Sequence, residues 1–234
     1  MDGMSDLLFC RTSGTLSVIV VSLNVLSVAV MCAALALLGR RNQLGWWLVA
    51  AGFICASAAA LINNVSSAGG STVVLALTLI SLVITLVLTA GVGVYGLLMF
   101  QKFPPANSMI RDFTLRRFAT SDLLFPLLVA ILYTGVSLLA TLSIFLRFSA
   151  STPPVGVLGV LALNGFLFGL LPAGLLGLAQ RSRWGWFLIA AASLTGIVGT
   201  TLSAGGSVLI FLFLAQGLLA LYGWGRWGSI PKSS

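Results

Sequence analysis

The sequence predicts an all-α integral membrane protein, with seven transmembrane helices in a 3+1+3 arrangement of two parallel three-helix repeats. Three observations predict it. The composition is 59% hydrophobic and only 7% charged over 234 residues, whereas soluble domains carry roughly 25% charged residues, so a water-facing surface cannot be covered. Apolar runs long enough to cross a bilayer, which takes about 20 residues, recur along the chain. The landmarks of its first half then return, in the same order, in its second.

The first run, 14–39, follows a short polar N-terminus ending near Arg11 and stops at Arg40-Arg41-Asn42-Gln43. Its length of about 25 residues exceeds the apolar region of a cleaved signal peptide, and its pattern reappears later, so it is structural. The second, 45–67, opens on Gly45-Trp46-Trp47 and ends in Ser67-Ala68-Gly69-Gly70-Ser71. The third, 72–100, carries Val94-Tyr95-Gly96 near its end and gives way to a long polar stretch from Gln101 to Thr120. The fourth, 121–147, is followed by Ser149 to Pro154, and the fifth, 154–179, stops at Gln180-Arg181-Ser182-Arg183. The sixth and seventh, 185–203 and 206–227, are parted by Ser203-Ala204-Gly205-Gly206-Ser207. Gly and Pro inside these runs do not count against helices, since both are common in membrane spans. The chain therefore divides into a first repeat at 14–100, a cytoplasmic loop and linker helix at 101–149, a second repeat at 150–227 and a tail at 228–234.

A shift of 140 residues places Asn24 on Asn164, Arg41 on Arg181, Gly45 on Gly185 and Trp46 on Trp186. Further along the spacing changes, but Ser-Ala-Gly-Gly-Ser recurs and Val94-Tyr95-Gly96 answers Leu221-Tyr222-Gly223. A single linker helix between two three-helix units makes them parallel, related by an axis along the membrane normal, and such repeats commonly frame a path where they face each other. The bland alternative is a duplicated bundle with no path.

Twelve Lys and Arg against four Asp give a net charge of +8. In a soluble protein that excess would suggest nucleic acid; here placement matters more than the sum. Loops 1–2, 3–4 and 5–6 and the C-terminus hold Arg40, Arg41, Lys102, Arg111, Arg116, Arg117, Arg181, Arg183, Arg226 and Lys232, while the other side holds Arg11 and Arg147. This asymmetry predicts the N-terminus outside and the C-terminus in the cytoplasm. Residues 108–118, with Met109, Ile110, Phe113 and Phe118 among Arg111, Arg116 and Arg117, read equally as an amphipathic helix on the anionic inner leaflet or as a solvated loop.

The chain has no His and no Glu, and its acids are Asp2, Asp6, Asp112 and Asp122. Hydrolytic, metal-assisted and acid/base chemistry lacks its usual side chains, so neither an enzyme nor a metal or cofactor site is expected. Cys10, Cys32 and Cys55 have no metal-ligand spacing and read as small apolar side chains. No Asp, Lys or Arg sits near the centre of any run. A proton- or sodium-coupled pump usually keeps an ionisable residue at that depth, so passive movement is favoured, although backbone carbonyls still leave sodium coupling open. A retinal Schiff base needs a Lys in a span, and a phosphate-bearing substrate needs a basic pocket.

What remains for a binding site is neutral and aromatic. Asn24, Asn164 and Gln216 fall near the middle of runs one, five and seven, where an amide either meets a polar solute or serves as interhelical glue. Trp46, Trp47, Trp184 and Trp186 begin runs two and six, where belt anchoring competes with a place in the path. Tyr95, Tyr222, Trp224 and Trp227 close runs three and seven as an aromatic gate, a stacking platform or a second belt. Pro172 is a hinge or a static kink, and Gly165, Gly169, Ala173 and Gly177 form a small-residue stripe that admits a close neighbour.

Arg181, Gly185-Trp186 and, after thirty-five intervening residues, Tyr222-Gly223-Trp224-Gly225-Arg226-Trp227 resemble the Arg/Asn-x-x-Gly-Trp and Tyr-Gly-Trp-x-x-Trp signature of the Pnu vitamin transporters, the nicotinamide riboside transporter family, with one more residue between Arg181 and Gly185 than the signature has. The first half carries a reduced form, Arg41-Asn42-Gln43-Leu44-Gly45-Trp46 and Tyr95-Gly96. The family is similar in architecture to the SWEET sugar facilitators. The resemblance implies facilitated diffusion of water-soluble vitamins and nucleosides, trapped by a cytoplasmic kinase, with Trp186, Tyr222, Trp224 and Trp227 as motif positions.

The function expected is thus a plasma-membrane facilitator for a small unphosphorylated vitamin or nucleoside, with nicotinamide riboside as the leading candidate. An aromatic cage suits a pyridinium ring, and the amides suit ribose hydroxyls. A SWEET-type sugar facilitator and a structural membrane protein without a path are the alternatives. The partners in view are the solute, the lipid bilayer, the trapping kinase and a second copy of the chain, with no nucleic acid.

Overall fold

The computed structural model describes residues 14–67, 72–101, 121–148, 155–202 and 207–228. Each predicted run is one α-helix, with ends within one residue of those expected. These are α1 (Gly14–Gly39), α2 (Leu44–Ser67), α3 (Thr72–Gln101), α4 (Ser121–Phe148), α5 (Val155–Ala179), α6 (Trp184–Leu202) and α7 (Ser207–Gly228). The polar stretch with the suggested amphipathic segment at 108–118 lies outside the described residues.

Among the described residues, five stretches are long and apolar enough to cross a membrane: Val18–Gly39, Leu44–Asn63, Leu79–Met99, Trp184–Thr201 and Val208–Trp227. Within α4 and α5 the described apolar stretches are shorter, Pro126–Val136 and Gly165–Ala179. Phe211, Val87, Val18 and Leu194 stand exposed on the outer faces, a cost in water but the normal condition of a side chain among lipid tails. The chain is a multi-pass membrane protein, all-helical among the described residues.

Consecutive helices pack on one another throughout, except that the α3 to α5 connection is doubled: α3 meets both α4 and α5. The set then closes where α7 packs against α1. Helices α1, α2, α3, α5, α6 and α7 thus form a ring, with α4 against α3 and α5. Because lipid tails are as apolar as Leu, such helices are held mainly by close packing and interhelical hydrogen bonds. Ser27 Oγ donates to the Gly52 carbonyl at 2.8 Å, joining α1 to α2. Of the small-residue stripe on α5, Gly169 meets α4 so closely that an added Cβ would stand 2.8 Å from Ala130 Cα.

The two described corners between helices are built alike. At the end of α1, the Asn42 N–H donates to Leu37 O and the Arg41 N–H to Leu38 O, both at 2.9 Å. At the end of α5, the Ser182 N–H donates to Gly177 O at 2.8 Å and the Arg181 N–H to Leu178 O at 2.9 Å. This paired bonding closes a helix by turning one residue left-handed. The residue so placed is an arginine each time, Arg41 at φ 61° and Arg181 at φ 63°. Gly45 and Gly185 follow each corner, where a Cβ would strike the preceding helix: Ala34 O and Leu38 in one case, Gly174 O and Leu178 in the other.

The buried core follows the same correspondence. Leu35, Leu38, Trp46 and Val49 are fully buried, and so are Leu175, Leu178, Trp186 and Ile189, each 140 positions further on. Ala220 and Trp227 of α7 belong to the same buried cluster.

Candidate functional site

The aromatic residues singled out in the sequence gather at the helix ends that carry most of the arginines, and the structure sorts them by depth. Trp46 opens α2 and has no exposed surface. Its indole lies against Gly96 of α3 so closely that a Cβ at Gly96 would enter the ring. Trp186 opens α6 and does the same on α7, where a Cβ at Gly223 would stand 2.6 Å from three ring atoms. The edge of one indole then meets the other in the Trp186–Trp227 pair, with centroids 5.6 Å apart and planes at 86°.

Outside this buried layer lies a second, more open group. Arg183 donates its Nε–H to the Trp224 carbonyl at 3.0 Å, and its guanidinium carbon is 4.2 Å from the centre of a Trp224 ring. Trp184 packs edge-on against Trp224 at 5.5 Å and against Phe187 at 6.0 Å. Trp47, Trp184 and Phe187 are all exposed, as ring systems at headgroup depth are. The structure thus divides Trp46 from Trp47 and Trp186 from Trp184, one of each pair facing inward.

Tyr222 sits at the α1–α7 contact, 47% exposed. A Cβ at Gly39 would touch its ring at 3.7 Å, and the Arg226 guanidinium lies 5.9 Å from its centre. Burial first, and the charge of Arg226 second, hold the Arg41 guanidinium below its ordinary value. Burial alone lowers Arg181.

The amides lie on three different helices. Asn24 is half-buried on α1. Gln216 on α7 is 2% exposed, in the same helix stretch whose Leu212 carbonyl accepts a bond from Cys32 Sγ of α1 at 3.5 Å. Asn164 falls within α5, with its side chain outside the described residues. Pro172 is fully buried within that helix.

A cavity of about 380 Å³ lies between α3, α4 and α5, bounded by Gly91, Val92, Tyr95, Val129, Leu176 and Gln180 among others. Tyr95 is the sequence candidate it contains. Gln180 was legible only as loop punctuation, yet its Oε1 is buried and has no hydrogen-bond partner. Arg183 likewise stands in the sequence only as a loop charge. The one sequence signal for its second role was its adjacency to Trp184.

No family model matches the chain, and no curated protein matches it. Among solved structures it is similar to the vitamin B3 transporter PnuC. The alignment covers 95% of this chain and 94% of that one, at 14% identity and a TM-score of 0.41. PnuC is a member of the family whose motifs the sequence resembles.

Proposed function

We propose that this chain is a membrane transporter that lets a small unphosphorylated vitamin or nucleoside, nicotinamide riboside foremost, move down its gradient. The fold is read as two parallel three-helix units, α1–α3 and α5–α7, with α4 as the linker. In the cell membrane the N-terminus lies outside and the C-terminus in the cytoplasm. A cytoplasmic kinase that phosphorylates the solute would then retain it.

One relationship supports this reading above the others. The bundle closes through α1 on α7 and α3 on α5. Exchanging each helix for its counterpart, α1 for α5 and α3 for α7, turns one of these contacts into the other. The paired arginine turns and the two Trp–Gly contacts exchange in the same way. Two units related like this face each other across a shared axis, the arrangement in which a rocking motion opens a path alternately to either side. The absence of charged residues from the middle of the apolar runs favours an uncoupled, unphosphorylated solute.

The test is uptake into proteoliposomes of labelled nicotinamide riboside, thiamine, riboflavin, deoxynucleosides and glucose. Saturable entry of a vitamin or nucleoside, unaffected by collapsing proton and sodium gradients, is expected. Entry of glucose alone would favour the sugar facilitator. Entry of none of them, from correctly folded protein, would contradict a transport function of this kind.

A further inference from the structure

The glycines gauge how closely the helices interlock. Within α1–α3, a Cβ at Gly45 of α2 would stand 2.7 Å from Leu38 and 2.9 Å from Ala34 O of α1, and one at Gly93 of α3 would stand 3.3 Å from Ala50 of α2. Within α5–α7, a Cβ at Gly174 of α5 would stand 2.7 Å from Gly185 O of α6, and one at Gly196 of α6 would stand 2.6 Å from the Phe213 ring of α7. Atoms this close to a bare backbone leave one helix no room to slide past the other.

Contacts between the two groups are of another kind. Where α1 meets α7, a Cβ at Gly39 would touch Tyr222 at 3.7 Å, an ordinary van der Waals separation. Where α3 meets α4 and α5, a Cβ at Gly91 would meet nothing within 4 Å. It borders the opening of about 380 Å³ that Val87 and Leu88 share with Val129 and Leu176. Hydrogen bonds divide in the same way. The Ser27 hydroxyl bonds α1 to α2 at 2.8 Å, and Arg183 bonds the start of α6 to the end of α7 at 3.0 Å. Between α1 and α7 the donor is the Cys32 thiol, a weak one, at 3.5 Å from Leu212 O.

Helix α4 falls on one side of this division. A Cβ at Gly169 of α5 would stand 2.8 Å from Ala130 Cα and 2.9 Å from Tyr133 Cβ of α4, so the two backbones lie against each other. Helix α4 also packs more extensively on α5 than on α3. Among the described glycines, every interhelical approach closer than 3.4 Å falls within α1–α3 or within α4–α7.

We propose that α4 belongs to the second moving body, so that α4–α7 rocks as one unit against α1–α3. The motion runs along the seam of α1 with α7 and the seam of α3 with α4 and α5. Interlocked helices move together, and a rigid-body change is taken up at the interfaces that can slide. The partition rests on the transport reading and specifies its conformational change.

Net passive flow requires the empty carrier to reorient, so both arrangements are populated without solute. Pulsed electron spin resonance on the full chain in nanodiscs then reads the partition directly. Nitroxide pairs are placed on exposed Ile54 of α2, Leu128 of α4 and Leu194 of α6, each substituted by Cys in a Cys10→Ser, Cys32→Ser, Cys55→Ser background. The pair 128–194 should give one narrow distance, while 54–128 and 54–194 give broad or split distributions. A narrow 54–128 distance with a broad 128–194 distance would assign α4 to the first unit and overturn the proposal. Three equally narrow or three equally broad distributions would also overturn it. If one of these variants does not fold, Val83, Leu124 and Val198, exposed on α3, α4 and α6, give the same comparison. Solute flux, measured separately on the wild-type chain, tells failure of the transport reading from failure of this partition.

Discussion

The indole of Trp186 rests on the bare backbone of Gly223, with 2.6 Å between three of its ring atoms and the place a Cβ would occupy. Trp46 holds the same position over Gly96. Each tryptophan begins the second helix of its group and is buried against the end of the third. A methyl group at either glycine cannot be absorbed by a flexible side-chain tip, since its neighbour is a rigid ring fixed on all sides. Gly96→Ala and Gly223→Ala should therefore each destabilise the chain by ~1–3 kcal/mol, read as lower thermal midpoints in detergent. Gly135→Ala, where a Cβ meets nothing within 4 Å, is the control expected to be neutral or slightly stabilising.

The left-handed arginines allow a second test. At Arg41 and Arg181, φ is 61° and 63°, a conformation that costs a residue with a Cβ about 1–2 kcal/mol and glycine little. Comparing Gly with Ala at each site cancels the loss of the guanidinium. Arg181→Gly should be more stable than Arg181→Ala by about 1 kcal/mol, and Arg41→Gly more stable than Arg41→Ala by a similar amount. Equal midpoints for Gly and Ala would show that the corners are not strained in this way.

The Ser27 hydroxyl joins α1 to α2; it is buried and bonded to Gly52 O at 2.8 Å. Ser27→Ala removes the donor and leaves that carbonyl with its helical bond. A loss of about 0.5–1.5 kcal/mol is expected, measurable by unfolding in mixed micelles. Ser193→Ala should cost less, because the Ser193 hydroxyl bonds within its own helix, to Ile189 O.

Arg183 and Trp224 form both a hydrogen bond to backbone and a stacked contact at 4.2 Å. A double-mutant cycle with Arg183→Lys and Trp224→Leu should return a coupling of about 0.5–2 kcal/mol. Additive effects would mean that the guanidinium serves Trp224 only through its carbonyl.

The sequence and the structure agree best where the signal is local. A helix end in a membrane chain is marked by adjacent charges and glycines, so Arg40-Arg41-Asn42-Gln43 and Gln180-Arg181-Ser182-Arg183 placed α1 and α5 to within a residue. Trp46 and Trp47 are neighbours with the same hydropathy, and their opposite fates depend on Gly96, fifty residues away and on another helix. Gln180 could not be read for a similar reason. The burial of its Oε1 depends on tertiary packing, and no pattern within the residues around it records that. Asn24 and Gln216 were legible as amides at depth, and their separate burial follows from how α1 and α7 are turned.

Facilitated diffusion between two facing three-helix units is tested most directly by counterflow. Proteoliposomes loaded with unlabelled nicotinamide riboside are diluted into a trace of the labelled compound, with proton and sodium gradients collapsed. Transient accumulation of label above its external concentration, abolished by omitting the internal load, is the expected result. Label that merely equals the level in protein-free vesicles would contradict it.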